Sequence, residues 1–269
     1  MRSGLLRGRE HTVLGDVATL ADGPCAIALS RGGHKKTYRH RDANEDAAGF
    51  ALGPQGTLLA VADGHGGHEA AEAAIAALFE HFAAAWTGAD ALAPHWVERA
   101  CEAIEALQAE IVALGATGGN PDARTTLALA LVRPGEGLLG FASVGDSHVF
   151  LAEARRARDL ASAAADPPAF LGSPSLDAEE LGARLAVGTA PLAGARAVAL
   201  ATDGLSERGI GVASPELAVA EAIAAAERVP PGRRALESAR ALVDRALDAH
   251  RRQRSGDNVA AAVLALGEP

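Results

Sequence analysis

Short apolar runs closed by turn residues recur along the chain and predict strands at residues 25–29, 47–52, 57–62, 126–132, 138–144, 148–152, 197–201 and 258–266. Many of these runs are rich in alanine, a weak strand former, so their punctuation carries the assignment more than their propensity. Elsewhere the apolar spacing changes to three and four, which predicts helices beginning near His68, Pro94, Pro215 and Arg233. In the second of these, Trp96, Ala100, Ile104, Leu107, Ile111 and Leu114 define one apolar face, and Glu98, Glu102, Glu105 and Gln108 fall off it. In the fourth, Leu236, Val243 and Leu247 oppose Arg240, Asp244 and Arg251. Both are expected to cover a core. Strands come in hairpin-like pairs and helices in consecutive pairs, which favours antiparallel sheets with segregated helices over a doubly wound parallel sheet. The expected fold is α+β, a four-layer α-β-β-α sandwich in which two antiparallel sheets are flanked by helix pairs. Residues 1–269 are expected to form a single domain, with loops at 118–122, 166–175 and 229–232.

Charge and cysteine content narrow the partners. A formal charge of -9 over 269 residues argues against a general nucleic-acid binder, which needs a basic face, so no nucleic-acid partner is expected. Cys25 and Cys101 make neither a disulfide framework nor a zinc motif and are expected to be core thiols in a reducing compartment. The first residues hold no apolar stretch long enough for a signal peptide, and no later run approaches the ~20 apolar residues of a membrane span. The expected location is therefore the cytoplasm, with no membrane partner. No Gly-x-Gly-x-x-Gly follows a strand, and there is neither a Walker-type loop nor a Gly-x-Ser-x-Gly elbow.

The candidate chemistry lies where the apolar runs stop. Asn44-Glu45-Asp46 precedes one run, Asp63-Gly64-His65-Gly66-Gly67 and Asp203-Gly204 each follow one, and Gly256-Asp257-Asn258 precedes the last. Thr125-Thr126 and Gly145-Asp146-Ser147 flank two further runs. Carboxylates delivered by the ends of several buried strands converge, and convergent negative charge is tolerable when hard cations neutralise it. Taken singly, each motif also has an ordinary reading. Asp63 could be a helix cap, Glu45 and Asp46 solvated turn acids, and His65 an exposed histidine in a glycine turn. The basic stretch from His34 through Lys35, Lys36 and Arg39 to Arg41 could draw acidic peptides or simply be a solvated loop.

Together, in this order, the motifs resemble those of the metal-dependent protein serine/threonine phosphatases of the PP2C (PPM) type, over about residues 41–266. Arg41-Asp42-Ala43-Asn44-Glu45-Asp46 resembles the first motif of that family and Val61-Ala62-Asp63-Gly64-His65-Gly66-Gly67 its most specific one. Thr125-Thr126, Val144-Gly145-Asp146-Ser147, Leu200-Ala201-Thr202-Asp203-Gly204-Leu205 and Ser255-Gly256-Asp257-Asn258 follow in the family's sequence. The resemblance implies two Mn²⁺ or Mg²⁺ ions per chain, bridged by Asp63 and a water. Asp203 and Asp257 would complete the first ion's protein ligands, and Glu45 with the Gly64 carbonyl would bind the second. It further implies that Asp46 orients a water held by the ions, that Arg41 clamps the phosphate and that Thr126 supports the site. His65 is the candidate general acid, because an alkoxide leaving from phosphoserine needs a proton and an imidazole of ordinary pKa about 6.5 can supply one.

The chain departs from the pattern in places. Arg124 stands where the family has glycine, His148 where it has arginine, and an Ala/Pro-rich segment between Leu151 and Ala197 looks too short for the usual flap. Asp146 is a candidate third-ion ligand or a structural hairpin residue, and Asp122 could approach the site. The expected activity is hydrolysis of phosphoserine or phosphothreonine in a protein, a kinase or its target, by a monomeric enzyme. A catalytically silent phosphoprotein-binding module and a same-fold phosphatase of small molecules are the alternatives.

Overall fold

A computed structural model of the chain describes residues 1–88, 93–117, 120–162 and 168–267. Fourteen strands form among them. One sheet has the order β1 (Arg2–Arg7), β4 (Ala47–Leu52), β5 (Thr57–Ala62), β8 (Leu127–Arg133), β9 (Leu138–Val144) and β12 (Ala186–Pro191). The other has the order β11 (Ala157–Asp159), β10 (His148–Glu153), β13 (Ala195–Ala201), β14 (Val259–Ala265), β3 (Cys25–Ser30) and β2 (Ala18–Asp22). Every pairing is antiparallel. A short ribbon of β6 (Gly64–His65) and β7 (Arg124–Thr125) stands apart.

Six α-helices among the described residues complete the layers. α1 (Glu69–Leu78) continues through a wide turn at Phe79–Ala83 into α2 (Ala84–Trp86), and with α3 (Trp96–Ala116) it covers the first sheet. α4 (Ala178–Arg184) is short and joins the same layer, while α5 (Pro215–Ala226) and α6 (Pro231–Gln253) cover the second sheet. The expected α-β-β-α sandwich is the observed one.

The alternation of side chains along a strand explains why these runs are apolar throughout. In β8, Leu127, Leu129 and Leu131 face α1 and α3, while Ala128, Ala130 and Val132 face the other sheet. In β14, Val259, Ala261 and Val263 face α5 and α6, and Ala260, Ala262 and Leu264 face the first sheet. A sheet buried on both faces needs no polar positions, so its strands read as continuous apolar runs; alanine keeps the layers close.

Two helix details differ from the sequence pattern. Gln108, placed off the apolar face of α3, is buried: its Nε2 donates to the Ser173 and Leu176 carbonyls at 2.8 and 3.2 Å, and its Oε1 accepts from Gly172 N at 2.7 Å. Leu114, placed on that face, is exposed in the last turn. Cys101 is also half-exposed, because it lies at the margin of the α3 stripe, whereas Cys25 is buried between the sheets. The expected loop positions 118–119 and 166–167 lie outside the described residues. No helix among the described residues is long and apolar enough to cross a membrane.

Candidate metal centre

The central strands of both sheets end at one mouth of the sandwich. Asp46 precedes β4, Asp63 follows β5, Asp203 opens a single turn of 3-10 helix (Asp203–Leu205) after β13, and Asp257 lies just before β14. Antiparallel neighbours in each sheet thus deliver a carboxylate from the start of one strand and the end of the next. Glu45, Asp63, Gly64, His65, Gly66, Asp203, Glu207 and Asp257 line a cavity of about 250 Å³, together with Lys36, Tyr38 and Arg39.

Main-chain and hydroxyl contacts hold this frame. Asp63 N donates to Thr126 Oγ1 at 3.1 Å, and the Asp63 carbonyl accepts from Thr125 Oγ1 at 2.9 Å and Thr126 N at 3.0 Å. Thr126 Oγ1 and Ser147 Oγ share a hydrogen bond of 2.8 Å. Glu45 Oε1 accepts from the backbone of Arg41 and Asp42 at 3.1 and 3.0 Å, and Glu45 N donates to Asn258 Oδ1 at 2.9 Å. Thr202 Oγ1 donates to Asp46 Oδ2 at 2.8 Å. Gly64 has no room for a side chain, since a Cβ there would collide with the Glu45 carbonyl oxygen.

Three carboxylate oxygens in this frame, Asp46 Oδ1, Asp203 Oδ1 and Glu207 Oε2, are buried without a hydrogen-bond partner. Desolvated, unpaired carboxylate oxygens are costly unless a cation meets them. One carboxylate oxygen each from Asp203, Glu207 and Asp257 also lies within 4.8 Å of the other two. The all-oxygen donor set fits Mg²⁺ or Mn²⁺ and does not favour zinc.

The electrostatics follow from burial and crowding. Burial, reinforced by Asp203, Asp46 and Asp257, pushes Asp63 well above the usual carboxylate range. Burial and Asp257 do the same to Asp203. Asp46 is raised to about 7 by burial and Asp257, and Glu207 to about 7 by burial and its hydrogen bond with Asp257. Asp257 is the exception: burial pushes it up, but the Lys36 charge and hydrogen bonds from Tyr38, Glu207 and Lys36 hold it below the ordinary value.

The remaining expected residues sit around this frame. His65 packs against Phe170 with ring centroids 4.4 Å apart, and its Nδ1 is 3.5 Å from Asp63 Oδ2. Partial desolvation lowers its pKa although Asp146 and the Asp63 backbone oppose the shift, and the side chain stays 44% exposed. Arg41 is turned to the rim, with Nη1 3.8 Å from Glu69 Oε1, and Arg39 is the arginine that lines the cavity. Asp146 lines a neighbouring cavity with His148 and Asp159, and Asp122 belongs to neither lining, although its carbonyl lies against Gly66. His148 bonds Asp159 Oδ2 at 2.7 Å and Ser206 Oγ at 2.5 Å, tying β10 and β11 to the turn that carries Asp203. The Ala/Pro-rich segment is not a bare connection: Leu171 pairs with Thr125, and β11, α4 and β12 lie within it.

Tyr38 and Glu207 are site residues that the sequence left unremarked, and Lys36, read there only as part of a basic stretch, lines the cavity with them. Glu207 stands four positions after Asp203, a spacing that a helical turn folds onto one side, and this is the signal that could have found it.

Antiparallel sheets thus bring buried carboxylates to a shared mouth, a donor set suited to hard divalent cations. A scan against known families matches residues 34–262 to protein phosphatase 2C. The chain belongs to that family and is a phosphatase. Among solved structures, it is similar to a variant of a bacterial serine phosphatase at 21% identity and TM-score 0.67, covering 91% of this chain and 99% of that one. It is similar to the serine/threonine phosphatase Stp1 from Staphylococcus aureus at 19% identity and TM-score 0.60, covering 96% and 97%. The catalytic domain of the serine threonine protein phosphatase PstP, in complex with 2 manganese ions, aligns at 22% identity and TM-score 0.58, covering 92% and 98%. A search of curated proteins returns no match.

Proposed function

We propose that the chain hydrolyses phosphoserine or phosphothreonine in proteins, using two Mn²⁺ or Mg²⁺ ions held by Asp63, Asp203, Asp257, Glu45 and the Gly64 carbonyl, with Glu207 beside them. What supports this reading is the cluster of partnerless buried carboxylate oxygens on Asp46, Asp203 and Glu207 in a chain of this family. When bound, such ions acidify a water and neutralise the phosphoryl oxygens. The chain supplies the rest. Thr125 and Thr126 fix the Asp63 backbone. Thr202 holds one oxygen of Asp46 and leaves the other to accept a hydrogen bond from the attacking water. As the water oxygen bonds to phosphorus it gives one proton to the free oxygen of Asp46, the bond to the serine or threonine oxygen breaks and its electron pair leaves with that oxygen. His65 gives this oxygen its proton.

Arg39, already at the cavity, meets the phosphate, and Arg41 joins it on leaving Glu69. We place the enzyme in the cytoplasm as a monomer and a single catalytic unit, a compartment its two free cysteines suit. Its substrate class is a phosphorylated kinase or kinase target.

The test is release of phosphate from a phosphoserine peptide, an aryl phosphate and a panel of phosphorylated metabolites, with Mn²⁺ and with EDTA. The peptide is expected to be the best substrate, its turnover to require Mn²⁺, and Asp63→Asn to bring it to background. Mn²⁺-independent turnover, or turnover unchanged in Asp63→Asn, would overturn the reading; preference for a metabolite would replace the substrate class.

A further inference from the structure

A lysine stands inside the carboxylate cradle. The Lys36 side chain is only 5% exposed, with Nζ 3.1 Å from Asp257 Oδ1 and 3.8 Å from Glu45 Oε2. It lies over the Tyr38 ring, 5.2 Å from the centroid, and the Tyr38 hydroxyl donates to the same Asp257 oxygen. Asn258 N donates to that oxygen as well, at 2.7 Å, so Asp257 Oδ1 is fully committed to groups of the chain.

The backbone beneath Lys36 is pinned. Gly256 N donates to the Lys35 carbonyl at 3.2 Å, Thr37 Oγ1 bonds Ser255 Oγ at 3.1 Å, and Gly33 N donates to His250 Nδ1 at 3.2 Å. His250, fully buried, bonds the Gly204 carbonyl through Nε2 at 2.8 Å. The segment carrying Lys36 is therefore clipped on both sides to the loops that carry Asp257 and Asp203. The ammonium is delivered to the cradle by the fold, at two of the carboxylates assigned above to different ions.

Resting on that two-ion reading, we propose that Lys36 is a tethered competitor that sets the metal affinity of the site. With Asp46 behind the lining carboxylates, two divalent ions leave the cradle negative, so a fixed ammonium can remain beside them. It repels each ion that approaches Asp257 or Glu45 and holds the carboxylates together at low metal. Removing the charge and keeping the stem should tighten metal binding and weaken the metal-stripped chain.

The experiment titrates Mn²⁺ calorimetrically into EDTA-stripped, desalted wild type, Lys36→Met and Lys36→Arg, and melts each in EDTA and in saturating Mn²⁺. Lys36→Met is expected to bind Mn²⁺ at least about tenfold more tightly than wild type, the scale of a unit charge removed a few ångströms from a divalent ion. Lys36→Arg is expected to stay near wild type. Lys36→Met is also expected to melt lower in EDTA and to recover the whole deficit in Mn²⁺, a readout that holds even where the stripped variant is too unstable to titrate. Equal or weaker Mn²⁺ binding by Lys36→Met, or the same melting deficit in EDTA and Mn²⁺, overturns this inference alone. Wild type that binds no Mn²⁺ overturns the two-ion reading and this inference with it.

Discussion

His65, the general acid of the proposed mechanism, leans on Phe170 and on Asp63, and desolvation lowers its pKa, so the protonated ring is the minor form at neutral pH. Its worth should depend on the leaving group. His65→Ala is expected to lower kcat on a phosphoserine peptide about a hundredfold and on an aryl phosphate less than about threefold, since general acid catalysis contributes roughly 10²–10⁴ where the leaving oxygen is basic. Equal losses on the two substrates remove His65 from proton transfer. Asp63, Asp203 and Asp257 were legible because each ends or opens an apolar run. Lys36 was not. In the chain it sits within a run of basic residues that reads as a solvated loop, and its burial is decided by contacts with Ser255, Gly256 and Asp257, more than two hundred residues away.

Strand and helix boundaries show the same division between local and distant causes. The ranges 47–52, 57–62 and 138–144 match β4, β5 and β9, because central strands buried on both faces carry their whole signal in the run itself. β1, β2 and β12 gave no such signal. They are edge strands with part of each exposed, β12 contains Gly188 and ends at Pro191, and their pairing partners supply what their composition lacks. Gly140 in β9 illustrates how a strand accepts a helix. A Cβ there would lie 2.5 Å from Trp96 Cδ2, and the Trp96 indole N–H donates to the Phe141 carbonyl at 3.2 Å. Gly140→Ala is expected to destabilise the fold by about 1–3 kcal/mol, measured by urea unfolding, because overpacking forces α3 off the sheet. A neutral result would mean that the α3–β9 contact is plastic.

The sandwich as a whole holds several carboxylates at raised pKa, and that fixes how its stability depends on pH. Asp46 and Glu207 sit at about 7 in the folded chain and Asp63 and Asp203 well above their ordinary values, whereas unfolded carboxylates titrate near 4. Groups raised on folding add stability that is complete below the unfolded pKa and is lost as pH rises through the folded one. Asp257, lowered, acts in the opposite sense but is outnumbered. In EDTA the melting temperature is therefore expected to fall between about pH 5 and about pH 8. Mn²⁺ should flatten that slope, and a hundredfold excess over Kd should add about 2.7 kcal/mol. A melting temperature that rises over this range in EDTA would contradict the crowding of these acids. Cys25 carries a quieter consequence of the same layering. Fully enclosed, with burial pushing its thiol up to about 12, it is shut away from alkylating reagents for as long as the two sheets stay together, which leaves Cys101 to react in the intact molecule. A second adduct per chain is thus a chemical record of every moment the sandwich breathes open.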